Sequence, residues 1–166
     1  MTYRNLKYLL YNDIFKNFVK KYNFKINIDD TILLVSDCII LEIYGFNIED
    51  IIYFDIYIEN CKKYTNVGRL CEGKPDKAIL DICNIIISKH QEPIIKSNEI
   101  NLVVALKAEQ WFFIYIEIMN EFFDDFLKCN FDVYEQYFTP TFKNKIQLFE
   151  AQFKYLIFED IDLITK

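Results

Sequence analysis

Apolar residues recur at helical spacing along much of this chain. Leu6, Leu10, Ile14 and Phe18 stand four apart, which predicts an amphipathic helix over residues 4–22. Residues 23–27 read as a connection. Asp29 or Asp30 offers a capping side chain for a second helix reaching about Tyr44, with Gly45 as its stop. Asn47 offers a cap for a third, to about Lys63, with Glu49 and Asp50 in its first turn. Within that third segment Ile52, Phe54, Ile56 and Ile58 also alternate with a strand's period of two. The segment is assigned to helix, with a little strand around residues 51–59 as the alternative.

Residues 65–75 hold Gly68, Gly73 and Pro75 and predict the clearest loop. Pro75 suits a first helical position. After it, Ile79, Cys83, Ile86, Ile87 and His90 line one helix face, while Lys77, Asp81, Asn84 and Ser88 line the other. Pro93 breaks that pattern, and Ser97 or Asn98 caps the longest predicted helix, over residues 98–128. Its apolar residues, Ile100, Val104, Trp111, Ile114, Ile118 and Phe122 among them, wrap most of the circumference, as in a buried helix. A narrow polar strip remains, with Gln110, Glu117, Glu121, Asp124 and Lys128. Thr139-Pro140 then reads as a cap and first helical position, followed by a stripe of Phe142, Ile146, Phe149, Phe153 and Leu156. Together the segments predict an all-α fold: one domain over residues 1–166, a helical bundle of about six helices.

Composition supports a packed core. A chain of 166 residues, 52% of them hydrophobic, suits a single domain that needs no staples. The abundance of Ile, Phe, Tyr, Asn and Lys follows AT-rich codons. The longest apolar run, Trp111 to Ile116, is far short of the ~20 residues a spanning helix requires. Arg4, Lys7 and Asp13 interrupt the N-terminal apolar residues, so no signal peptide is read there. Five cysteines, an odd number, then fit reduced thiols in a cytoplasm: Cys38, Cys61, Cys71, Cys83 and Cys129.

Charge is segregated within the net −6. Residues 1–28 carry +5, residues 29–61 carry −8 with no Lys or Arg, and residues 109–135 carry −6. An acidic field of this kind argues against nucleic acid as a partner and favours a basic protein.

Few residues offer chemistry. Gly68-Arg-Leu-Cys-Glu-Gly73-Lys74-Pro75 resembles the phosphate-binding P-loop, in which backbone N–H groups and a lysine cradle phosphates. Pro75 takes the place of the magnesium-binding hydroxyl, so no nucleotide site is expected. Cys61, Cys71, Cys83 and His90 are zinc-type ligands, but their spacing is wide and irregular, and no metal is expected. The single histidine and three serines stand in no nucleophile motif. No catalytic residue and no cofactor is expected, and the chain reads as a binding protein, not an enzyme.

In size, acidity and composition the whole chain resembles the immunity proteins of bacterial toxin systems, including those of contact-dependent growth inhibition. That resemblance implies a cytoplasmic antitoxin that neutralises one cognate basic toxin, a nuclease for example, by protein–protein binding. The docking surface expected on this chain comprises Asp37, Glu42, Glu49, Asp50, Asp55 and Glu59 from the central segment, with Glu117, Glu121, Asp124 and Asp125 from the long helix. A second resemblance rests on Asn66-Val67-Gly68-Arg69, which is similar to the Asn-Trp-Gly-Arg signature of poxvirus proteins of the apoptosis-regulator helical fold. It implies a groove for an amphipathic helix of a host signalling or cell-death protein.

Overall fold

The structure is a computed structural model, and it describes residues 10, 12–46, 51–89 and 108–164. In chain order the elements are α1 (Asp13–Lys21), β1 (Lys25–Ile28), β2 (Ile32–Val35), β3 (Ile39–Phe46), β4 (Ile51–Ile58), β5 (Lys63–Asn66), α2 (Val67–Cys71), α3 (Asp76–Lys89), α4 (Ala108–Phe122), α5 (Asp124–Leu127), β6 (Thr139–Pro140) and α6 (Lys143–Phe153). The six strands form one antiparallel sheet in sequence order, β1 to β6. The expected all-α bundle is therefore overturned: this is a mixed fold of helices on a six-stranded sheet.

The second predicted helix, residues 29–44, is β2 and most of β3. Asp29 and Asp30 occupy the turn of the β1–β2 hairpin, where the Asp29 N–H donates to the Thr31 carbonyl. The physical reason for the misreading is burial on both faces. In β2, Ile32 and Leu34 are buried on one side and Leu33 on the other, so no alternation shows. Gly45 lies inside β3 rather than ending a helix. Of the third predicted helix, 47–63, residues 47–50 with the cap Asn47 lie outside the described residues and the rest is β4 and the start of β5, so here the period-two alternative was the correct pattern. Isoleucine at alternate positions favours a pleated, half-buried surface.

The predicted loop over 65–75 instead holds the end of β5 and the short helix α2. Asn66 caps α2, its Oδ1 accepting from the Arg69 N–H at 2.8 Å. Gly68 to Cys71 are thus helical, and the Lys74 ammonium lies 5.8 and 5.7 Å from the ring centroids of Phe122 and Phe123. The helical fold implied by the Asn66–Arg69 resemblance is overturned by the same sheet. Of the long helix, residues 98–107 lie outside the described residues; α4 covers 108–122, breaks at Phe123, and α5 resumes. Thr139 and Pro140 pair with Tyr64 and Lys63, so the last helix starts at Lys143.

Two layers flank the sheet. α1, α3 and α4 cover the inner face, packing on Ile26, Ile32, Leu34, Leu41, Ile43, Phe54 and Ile56. Asn12 caps α1, Asp13 and Lys20–Lys21 complement its dipole, and Phe15 meets Phe112 of α4 with centroids 5.3 Å apart. On the outer face α6 is seated by Phe149, which meets Tyr57 edge-on at 4.7 Å within a small cluster of Leu33, Ile40 and Cys61.

The expectation of five reduced thiols is also corrected. Cys38, in the β2–β3 turn, is bonded to Cys129, in the turn after α5. Those turns bring their Cα atoms to 5.9 Å, inside the range a disulfide spans. Cys61, Cys71 and Cys83 are free. Among the described residues no helix is long and apolar enough to cross a membrane.

Candidate functional site

The outer face carries the polar chemistry, because strand alternation sends it there. Ile40, Glu42 and Tyr44 of β3 share this side with Tyr53, Asp55 and Tyr57 of β4 and Tyr64 of β5. α6 lies across that face and leaves a hollow on either side.

The first hollow is a groove of about 700 Å3 between the β2–β3 turn, the β4–β5 turn and α6. Its floor is apolar, with Ile40, Cys61 and Phe149, and Phe131 and Phe153 complete its walls. Its rim carries Asp37, Glu59 and Glu150; among the described residues no Lys or Arg lines it, although Lys63 pairs with Glu59 at 3.4 Å from outside the lining. Burial pushes the Cys61 thiol up to about 11; the Glu150 carboxylate adds to that and Lys145 opposes it. The Glu59 corner is made by an unusual turn. Glu59, Asn60 and Cys61 all take left-handed backbone, at φ 53°, 56° and 66°. Such conformations cost L-residues roughly 1–2 kcal/mol each. Backbone strain of this kind clusters at binding sites.

The second hollow is a cleft of about 790 Å3 on the other side of α6. Glu42 and Asp55 stand directly opposite in the β3–β4 register. Lys145 of α6 pairs with Glu42 at 3.4 Å and rests on the rings of Tyr57 and Phe149, at 5.5 and 4.9 Å. Asp55 accepts hydrogen bonds from the Tyr44 hydroxyl at 2.5 Å and the Tyr64 hydroxyl at 3.1 Å. Burial raises the carboxyls of both acids above their ordinary range. Lys145 opposes the rise at Glu42, and the two tyrosines, Lys145 and Arg69 oppose it at Asp55. Burial also raises Tyr44, Tyr57 and Tyr64.

The ten acids expected to form one docking surface are thus distributed. Asp37 and Glu59 rim the groove, and Glu42 and Asp55 line the cleft. Glu49 and Asp50 lie outside the described residues. Glu117 and Glu121 sit on α4, in the helix layer across the sheet, with Glu117 beside Lys21 and Asn120. Asp124 is occupied internally: it accepts from the Tyr22 hydroxyl at 2.8 Å and pairs with Lys128 at 2.9 Å and Lys21 at 3.5 Å. The Lys128 and Tyr22 hydrogen bonds hold its carboxyl down at about 2. Asp125 accepts from the Tyr134 hydroxyl at 2.6 Å.

Sequence reasoning missed Glu150, Lys145, Arg69 and the tyrosines. The available signal was Tyr53-x-Asp55-x-Tyr57, polar or aromatic at every second position opposite the isoleucines. The zinc-type ligands do not converge. Cys61 lies under the outer face, whereas Cys83, with Cys71 packed against it, belongs to the inner core; His90 is outside the described residues. Among the described residues no group of three or more His, Cys, Asp or Glu is placed to hold a metal. Burial pushes the Cys71 and Cys83 thiols up, to about 12 and about 11, against a nucleophilic role. No protein-family model matches the chain, and no curated protein or solved structure matches it.

Proposed function

We propose that this chain is a binding protein and not an enzyme, an immunity-type inhibitor that neutralises a cognate basic protein such as a nuclease toxin domain. The observation that carries this reading is the acid-rimmed apolar groove, with Asp37, Glu59 and Glu150 around Ile40, Cys61 and Phe149 and, among the described residues, no cation in its lining. A lysine- or arginine-bearing apolar element complements both its floor and its rim. Charge complementarity of this kind speeds encounter, and buried anchors fix specificity. Phe153, at the groove's edge and 36% exposed, is the anchor available to a partner. Glu117 and Glu121, on the far side of the sheet, belong to a separate surface that the same partner need not reach.

A cytoplasmic setting belongs to the proposal. The Cys38–Cys129 bond weighs against it, since cytoplasmic thiols are kept reduced. The test pairs the chain with the protein encoded by the adjacent gene. Co-expression is expected to restore growth when that neighbour is toxic. Reversing Asp37, Glu59 and Glu150 to Lys should slow association about 10-fold or more at low salt. A neighbour that is neither basic nor neutralised, or an association rate unmoved by the reversal, refutes the reading.

A further inference from the structure

The cleft across α6 from that groove holds two opposite charges that, among the described residues, have no ion-pair partner within 4.0 Å. Asp55 is 7% exposed, and among the described residues no cation comes within 4.0 Å of it; its oxygens are held by tyrosine hydroxyls. Arg69 lies over the Tyr64 ring, 5.4 Å from its centroid, and donates from Nη1 to Thr139 Oγ1 at 3.0 Å. Among the described residues no carboxylate comes within 4.0 Å of that guanidinium, and most of its donors are unused. Tyr64 connects the two charges, with its hydroxyl on Asp55 and its ring beneath Arg69. Glu42 and Lys145, in contrast, satisfy each other. Thr141 Oγ1 in the same lining is buried and has no hydrogen-bond partner among the described residues. Phe142 and Leu148, 81% and 56% exposed, form an apolar lip.

We propose that this cleft binds a small zwitterion, an apolar α-amino acid or its short peptide, with the ligand's ammonium group on Asp55, its carboxylate on Arg69 and its side chain against the Phe142–Leu148 lip. The charges themselves select this class. A ligand carrying only an ammonium group gains at Asp55 but is repelled by Arg69 and Lys145. A ligand carrying only a carboxylate gains at Arg69 but is repelled by Asp55 and Glu42. One small molecule bearing both charges gains twice and adds no net charge to a cleft whose own charges cancel. A buried carboxylate that feels Lys145 and Arg69 only from beyond ion-pair distance is incompletely compensated, so much of the gain falls at Asp55. The cleft's volume lies within the range of small-molecule sites.

The test is calorimetric titration of the whole chain with leucine, phenylalanine and dileucine, beside isoamylamine and isocaproate as the two single-charge analogues. At least one zwitterion is expected to bind saturably, and each single-charge analogue about 10-fold more weakly or worse. Tighter binding of leucine than of dileucine identifies a free amino acid, and the reverse identifies a peptide. Arg69→Gln and Asp55→Asn should each weaken binding about 10-fold or more. Arg69→Lys, with an unchanged circular dichroism spectrum, guards against loss by misfolding and should retain part of the affinity. No saturable binding of any zwitterion, equal binding of an analogue, or full affinity in both Arg69→Gln and Asp55→Asn overturns the site. None of these variants touches Asp37, Glu59 or Glu150, so this inference and the partner-binding reading fail separately.

Discussion

Toward the inner face β4 turns Ile52, Phe54, Ile56 and Ile58; toward the outer face the same strand turns Tyr53, Asp55 and Tyr57. The inner set is sealed under three helices and contributes stability. The outer set lies partly under one helix held by few side chains, and contributes polar groups that can meet a ligand. One strand thus divides its labour by parity, and an even or odd position is enough to place a residue in one role or the other.

The sharpest break in that comparison comes from the inner face. Phe112 is fully buried between Phe15 and Phe54, and Phe112→Ala should cost about 3–5 kcal/mol in urea denaturation, with the whole domain unfolding at lower urea. Next is the Cys38–Cys129 bond, which ties the groove's rim to the helix layer across 91 residues of sequence. Its removal in Cys38→Ser/Cys129→Ser should cost about 2–4 kcal/mol by the same measurement. On the outer face, Phe149→Ala should cost at most about 3 kcal/mol, because α6 can lift away without breaching the inner core. Hydrogen exchange should then show lost protection in α6 while β3 and β4 keep theirs. Equal loss in all three elements would mean that α6 and the sheet are one cooperative unit.

Secondary structure was legible wherever one face alone is buried. α1 and α3 fall within stretches the apolar spacing assigned to helix, with residues 4–9 and 11 outside the described residues, and α6 does so from Lys143 onward, its predicted start at Thr139–Pro140 being strand. The strands were obscured by Leu33 and Tyr57, which bury the outer face of positions that an amphipathic strand would leave polar. The turns at Asp29–Asp30 and Ser36–Cys38 use the same side chains that cap helices, so local chemistry could not separate them. At the site, Asp37 and Glu59 were visible as acids in a segment free of cations. Glu150 and Arg69 come from elements distant in sequence, and only sheet pairing and the seating of α6 bring them beside those strands.

The smallest expected effects are in pH dependence, and they have opposite signs. Asp124, held at about 2, stabilises the fold above the unfolded-chain value near ~3.9, and that contribution is lost as pH falls through about 2. Asp124→Asn should flatten the acid limb of the stability profile. Asp55 is raised instead, so the folded chain holds its proton more tightly than the unfolded chain does. Its contribution is complete below the unfolded value and is lost as pH rises through the folded one. Asp55→Asn should therefore gain on the wild type as pH rises, in melts followed from acid to neutral. A parallel pair of profiles would show that the two acids share one environment, against the contrast between the buried outer face and the exposed helix layer.

The order of the strands also sets a sequence of assembly. Strands β2 to β5 each pair with the strand that precedes them, so hairpins can form as the chain leaves the ribosome, with short loops to close. The far edge of β5 has a different schedule. Its partner, Thr139–Pro140, is synthesised only after α2, α3, α4 and α5, and α6 follows it. Until then the row of backbone groups along Lys63–Asn66 is an open template, and the tyrosines beside it are uncovered. The newborn chain is most exposed to wrong strand pairing during that interval, which ends only when Thr139–Pro140 and α6 have been made.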